Sequence, residues 1–179
     1  MITKRFPTIL FVCLSAAFVL PPLANGQTPG VIISANIQSV ALGPIPILRC
    51  EEGLHLFGAT SISSVKAVTG PLTLVKNVDY ISELLRQAMV FGTRLRTVNI
   101  GFLLPNPAPQ PPQRLMYIVL LDAAIAEIVL TAGDAAAVET VKFQYDKACW
   151  RNYFEQGANT FCWDFKAGRV FDPPQDVIW

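Results

Sequence analysis

The chain of 179 residues carries 14 Lys and Arg against 13 Asp and Glu, so its formal net charge is only +1 at neutral pH. A nearly neutral chain has no strong positive field with which to hold a phosphate backbone, which argues against nucleic-acid binding. Hydrophobic residues make up 52% of the sequence, enough to fill a core and to supply subunit contacts as well.

The first 26 residues have the pattern of a signal peptide. A short basic region, Lys4 and Arg5, precedes an uncharged stretch over residues 8–20. These 13 residues fit a signal sequence and fall short of the roughly 20 needed to span a bilayer. A proline pair and a small-residue site follow, which predicts cleavage near Gly26 and Gln27. The alternative is an N-terminal helix buried in the fold.

Cleavage would leave residues 27–179, a length typical of one domain. This part keeps 12 basic and 13 acidic residues, a net charge of −1, and has no apolar run long enough to span a membrane. We therefore expect a single secreted or periplasmic domain that binds neither nucleic acid nor membrane.

The first half of this domain shows mainly strand patterns. The sequence predicts a turn at Gly70-Pro71, because this pair commonly interrupts a strand. The strands and short apolar segments predicted here are Val31–Leu42, Ile45–Cys50, Gly53–Thr60, Ser61–Val68 and Leu72–Lys76.

A helix is predicted from Ser82 to Phe91, because the apolar residues follow helical spacing. Ser82 is a candidate N-cap, since its hydroxyl can accept a hydrogen bond from a free first-turn N–H. Gly92 suits the left-handed position after the last turn. A helix this short must dock on a sheet to be stable.

Strand patterns resume after the helix, at Arg94–Leu104, Arg114–Asp122 and Ile125–Thr131. Between the first two of these lies the segment Pro105–Gln113, which contains five prolines. Prolines cannot donate ladder hydrogen bonds, so we expect a stiff, exposed connection here. A docking site for a proline-binding partner is the alternative.

The C-terminal region predicts an antiparallel hairpin. Val141, Phe143 and Tyr145 alternate with polar residues, and a second alternation of aromatic residues begins at Phe161. The sequence Glu-Gln-Gly-Ala-Asn between them is typical of a hairpin loop.

The residue pattern of this region resembles the C-terminal part of proteins of the Hcp family, the haemolysin-coregulated proteins of type VI secretion systems. The pattern V-x-F-x-Y-x-K-x-x-W begins at Val141, and F-x-W-D-x-K begins at Phe161. The resemblance extends over about Gly70 to Val170 and implies a β-barrel of two antiparallel sheets with one short flanking helix. It further implies that six copies close into a ring, and that rings stack into a tube that carries effector proteins.

A signal peptide is unusual in this family, whose tube assembles in the cytoplasm. The resemblance therefore leaves two functions open. The first is a ring-forming tube component of type VI secretion. The second is an exported Hcp-like binding module that stays monomeric or forms a small oligomer.

The sequence assigns no catalytic, cofactor-binding or metal-binding residue. The single histidine, His55, has no nucleophile motif, metal-binding helix or phosphate loop to accompany it. Glu51 and Glu52 are adjacent, so in a strand they would point to opposite faces and not act as a carboxylate pair. We therefore expect a structural protein and not an enzyme.

Three cysteines remain after cleavage, namely Cys50, Cys149 and Cys162. The last two flank the hairpin loop, but aligning the aromatic rows on one face places these cysteines on opposite faces, which argues against a bridge. A β-bulge would restore the pairing, and a bridge to Cys50 stays open. A zinc site of three thiolates and His55 is formally possible, although no Cys-x-x-Cys spacing supports it.

Overall fold

The computed structural model describes residues 30–38, 40, 43–57, 66–107, 109–133, 136–154, 157–173 and 175. The predicted signal peptide lies outside these residues, as does most of the predicted strand Ser61–Val68. The described part contains ten strands and one helix: β1 (Ile32–Ile37), β2 (Ile45–Ile47), β3 (Arg49–Phe57), β4 (Lys66–Asn77), α1 (Ile81–Val90), β5 (Leu95–Leu104), β6 (Gln113–Ala132), β7 (Ala137–Gln144), β8 (Lys147–Phe154), β9 (Gly157–Asp164) and β10 (Arg169–Val170).

The strands form two antiparallel sheets that share β6. The large sheet has the order β10-β9-β8-β6-β5-β1-β2, and the small sheet has the order β3-β4-β7-β6. Only Leu48 separates β2 from β3, so this segment also passes from one sheet to the other. Strand pairing runs from β3 through β4, β7, β6, β5 and β1 to β2, and β2 leads directly into β3. The strands thus close a barrel, which confirms the predicted fold class.

Strand β6 is one element of 20 residues. The prediction of two strands, Arg114–Asp122 and Ile125–Thr131, is wrong in this respect. Asp122 adopts a left-handed φ of 53°, and its carbonyl accepts a 2.8 Å hydrogen bond from Arg94 Nη1. Aspartate tolerates this backbone conformation better than most residues. The chain therefore bends at Asp122 and runs on from the large sheet into the small one.

Strand β4 likewise runs through Gly70-Pro71 without the predicted turn. Leu72 pairs with Glu52 and Thr69 pairs with Leu54, so the register shifts opposite Gly70-Pro71. A proline is tolerated at such a bulge because no ladder hydrogen bond is required from its nitrogen. At the N-terminus, β1 ends at Ile37, earlier than the predicted Leu42, because Val40 N–H donates to the Ile37 carbonyl in a turn at 3.1 Å.

Helix α1 begins at Ile81 and ends at Val90. The prediction of Ser82 as N-cap is wrong, because Ser82 lies buried within the first turn. Asp79 takes the capping hydrogen bond instead: its Oδ1 accepts from Ile81 N–H at 2.9 Å. Gly92 has a φ of 61°, as predicted for the residue that terminates the helix.

The prediction of a hairpin between the Val141 strand and the Phe161 strand is wrong in its first strand: the C-terminal hairpin consists of β8 and β9, and β7 belongs to the small sheet. Tyr145 and Asp146 separate β7 from β8 and change the phase of the alternation. Cys149 therefore lies directly opposite Cys162, and the two form a disulfide. The prediction that the two cysteines lie on opposite faces is wrong, because it assumed one unbroken strand through Tyr145.

The core fills the space between the two sheets and beneath the helix. Its members are the buried residues Ala35, Ile37, Ile45, Ile47, Leu72, Leu74, Ile81, Leu85, Ala88, Leu95, Val98, Ile100, Ile118, Leu120, Ala123, Ile125, Val141, Phe143, Tyr145, Ala148 and Phe165. Val141 and Phe143 alternate inward as predicted. The proline-rich connection between β5 and β6 lies largely exposed, also as predicted.

Candidate assembly surfaces

An apolar surface lies on the solvent side of helix α1. Tyr80, Leu84 and Phe91 are spaced four and seven residues apart and therefore share one side of the helix. Tyr80 is 80% exposed and Phe91 is 77% exposed, and neighbouring Val90 is equally open. We call these four residues the helix patch. Large apolar side chains at this exposure are typical of an interaction surface.

A second surface lies on the hairpin β8–β9. The rings of Trp150, Phe161 and Trp163 follow one another at centroid distances of 5.8 and 6.2 Å, with 22° between the planes of each pair. We call these three residues the aromatic row. Phe161 is half exposed, whereas Trp150 and Trp163 also pack against the core. The row therefore joins the barrel interior to the protein surface.

Strand β9 leaves part of its backbone edge open beside the aromatic row. Among the described residues, Gly157–Phe161 pairs with β8 alone, and only Trp163 and Asp164 also pair with β10. Unpaired backbone donors and acceptors on an edge strand are a ready site for pairing with another chain.

Glu52 on β3 fixes the position of the aromatic row. Its carboxylate accepts hydrogen bonds from Tyr145 Oη at 2.9 Å and from Trp150 Nε1 at 2.8 Å. Burial raises the pKa of Glu52, while the two hydrogen bonds act in the opposite direction. These contacts tie β3 to the start of the hairpin region. They were missed because the sequence gives no sign of contacts between residues 93 and 98 positions apart.

Glu52 gives a testable pH dependence. Its pKa in the folded state lies above the model-peptide value of 4.5, so the folded protein binds this proton more tightly than the unfolded chain does. The contribution of Glu52 to stability is therefore greatest below pH 4.5 and declines as the pH rises through the folded-state pKa. Urea unfolding of the wild type and of Glu52→Gln between pH 4 and 8 measures this difference. A wild-type advantage that grows with rising pH would contradict the assignment.

A buried ionic cluster anchors helix α1 to the small sheet. Lys76 Nζ on β4 lies 2.9 Å from Glu139 Oε1 on β7 and 2.8 Å from Asp79 Oδ1. Ser82 Oγ donates to the same Glu139 oxygen at 2.6 Å, and Arg86 reaches Oε2 at 3.2 Å. Lys76 lies on the same face of β4 as apolar Leu72 and Leu74, because the three positions are two residues apart. This spacing was the one feature of the sequence that indicated its burial.

The residues considered for catalysis all lie on β3. His55 lies in β3 opposite Val68. Glu51 is exposed and pairs with Arg49, whereas Glu52 is half-buried and bonds to aromatic residues, so the two carboxylates do lie on different faces, as predicted.

The described residues also hold no cluster of three or more His, Cys, Asp or Glu side chains suited to a metal ion. The zinc alternative is wrong because Cys149 and Cys162 are bonded to each other. Cys50 is a free thiol, and burial, with the nearby Glu52 and Glu51, raises its pKa to about 12. It is therefore a weak nucleophile at neutral pH.

A groove of about 530 Å³ lies beside the bend of β6 at Asp122. Three basic and three acidic side chains line it, so the lining has no net formal charge. A hydrogen bond from Ala167 N–H is the main cause that lowers the pKa of Asp164. The lining residues are Arg94, Asp122, Asp146, Lys147, Asp164, Lys166 and Ala167.

The fold is similar to that of solved Hcp proteins. Hcp1 from Salmonella typhimurium matches with 18% identity and a TM-score of 0.67, covering 79% of this chain and 99% of that protein. The secreted protein Hcp3 from Pseudomonas aeruginosa matches with 20% identity and a TM-score of 0.59, covering 76% of this chain and 99% of that protein. A further type six secretion system protein matches with 16% identity and a TM-score of 0.66, covering 79% and 100%.

A comparison with curated protein sequences gives no significant match. Within the part of the chain that the structure describes, no helix is long and apolar enough to cross a membrane. A model of the family described as "Type VI secretion system effector, Hcp" matches residues 53–152. Since this match takes in more than half of the 179 residues, the chain belongs to the Hcp family of type VI secretion.

Proposed function

We propose that the mature chain, residues 27–179, closes into rings of six copies that stack as a tube of type VI secretion and enclose effector proteins. The observation that carries this proposal is the Hcp family match over residues 53–152. The alignment also covers 99% of the length of Hcp1 from Salmonella typhimurium, so the whole fold of that protein has a counterpart here.

The exposed apolar surfaces support self-assembly on physical grounds. A closed ring joins two different faces of each copy, because its contacts are heterologous. The helix patch and the open edge of β9 are distinct surfaces. Contact with another copy would bury the apolar side chains of the first and pair the backbone groups of the second, and both lower the free energy. The mechanism we propose is structural: copies of the chain enclose a lumen, and no covalent bond is made or broken.

Export through the predicted signal peptide is part of the proposal. The Cys149–Cys162 disulfide supports an oxidising destination, since such bonds persist in secreted and periplasmic proteins and are rare in the cytoplasm. The same disulfide favours a second candidate, an exported Hcp-like binding module that is monomeric or a small oligomer. The two candidates differ in the mass of the purified particle.

Export of the full chain followed by light scattering on the purified product tests the proposal. We expect the exported chain to have the intact mass of a protein that begins at Gln27. We expect its particle to be six times heavier than one copy. A chain lacking residues 1–26 is the control and should stay in the cytoplasm. A product that keeps residues 1–26 would contradict export, and a particle of one or two copies would favour the binding module.

A further inference from the structure

The disulfide lies at a structurally sensitive position in the large sheet. Cys149 on β8 and Cys162 on β9 face each other directly, and both side chains are buried. Together with Val119 and Leu121 on β6 they form a small cluster separate from the main core, and Phe171 packs against it. The bond therefore links the two strands of the hairpin on the face of the sheet that points away from the main core.

The outermost strands join the sheet through the ladder that this bond crosses. Strand β9 pairs with β8 along its full length. Its other described partner is β10, whose two residues pair only with β9. Beyond β10, Phe171 N–H donates to the Cys162 carbonyl at 3.4 Å. Among the described strand pairings, β9 and β10 thus join the rest of the sheet only through the β8–β9 ladder that the disulfide crosses.

We propose that the Cys149–Cys162 bond is an oxidation-dependent lock that holds β9 and β10 in place. With the bond open, the outer edge of the large sheet loosens while the barrel itself persists. The lock is closed in an oxidising compartment and open in the reducing cytoplasm. Resting on the proposed function, it also means that rings using the β9 edge form only after oxidation.

Closure of the lock is a thiol–disulfide exchange with an external disulfide, such as that of a protein oxidase or oxidised glutathione. One cysteine thiolate attacks the external disulfide and releases its first half as a thiol. The second cysteine then attacks the mixed disulfide and releases the other half. Two electrons and two protons pass from the protein thiols to the external disulfide, which leaves as two thiols.

Cys50 supplies a matched control for this chemistry. It packs against the main core on β3, whereas the disulfide lies in the separate cluster. Replacing Cys50 with alanine therefore removes a thiol without opening the lock.

Hydrogen exchange on the mature protein tests the lock directly. The wild type is refolded in the presence of a phosphine reductant, and part of it is then reoxidised with glutathione disulfide. A variant that combines Cys149→Ala with Cys162→Ala mimics the open state permanently. The bond closes a loop between residues 13 apart, so we expect amides of β9 and β10 to exchange roughly 100-fold faster when it is open.

The supporting result is this acceleration in β9 and β10, with little change in β5, full reversal on reoxidation, and no effect of Cys50→Ala. Unchanged exchange in β9, equal acceleration in all strands, or alkylation of Cys149 and Cys162 in the native exported protein would each overturn the lock. Light scattering on the same samples separates the two proposals. If even the oxidised protein forms no ring, the proposed function fails, and the exchange data alone decide the lock.

Discussion

Replacing Lys76 with methionine is expected to lower the free energy of unfolding by about 3–5 kcal/mol. The side chain of Lys76 is 2% exposed and that of Glu139 is fully buried. Without the ammonium group, the buried carboxylate of Glu139 keeps, among the described residues, only the Ser82 hydroxyl and the half-exposed Arg86 as partners. Urea unfolding of the two proteins gives the difference directly.

Two further variants make this prediction specific. Combining Lys76→Met with Glu139→Leu removes both charges and should recover most of the lost stability, because apolar residues can replace a buried ion pair at little cost. Lys142→Met breaks the pair with Glu127, whose side chains are 37% and 46% exposed, and should change stability by less than about 1 kcal/mol. A double variant no more stable than Lys76→Met would contradict the assignment of a buried ion pair.

Replacing Leu85 with alanine is expected to lower the free energy of unfolding by about 2–5 kcal/mol, because it leaves a cavity where helix α1 enters the core. Leu85 is 1% exposed, whereas the adjacent Leu84 is 39% exposed and belongs to the helix patch. Leu84→Ala is therefore a matched control and should cost less than about 1 kcal/mol, since its side chain is partly exposed and lies outside the buried core. Equal losses in the two variants would show that the helix does not dock through Leu85.

Local patterns predicted the parts of the fold that depend on neighbouring residues. The inward alternation of Val141 and Phe143, the helix before Gly92 and the exposed proline-rich connection all follow from period, backbone preference and missing donors. The aromatic patterns that begin at Val141 and Phe161 indicated the family, and the family resemblance predicted the barrel. These features need no knowledge of distant contacts.

The errors arose where a distant partner decides the local conformation. Gly70-Pro71 stays in a strand because the two residues form a bulge of β4 opposite the single residue Gly53 of β3, and Asp122 bends β6 because β6 belongs to two sheets. The break at Tyr145 and Asp146 set the register that brings Cys149 to Cys162. None of these partners is visible in the local pattern.

The candidate surfaces were predictable only in part. The aromatic residues of the hairpin were evident, but Lys76 and Glu139 are 63 positions apart, and neither residue alone indicates an ion pair. Exposure of Tyr80 and Phe91 follows from where the helix docks, which the sequence pattern gave only approximately.

Electron microscopy of the oxidised mature protein tests the central claim most directly. We predict closed rings with six copies around an open lumen in class averages, and stacks of such rings at high protein concentration. Single globular particles with no closed rings at any concentration would contradict the claim that this Hcp-family barrel is a tube component.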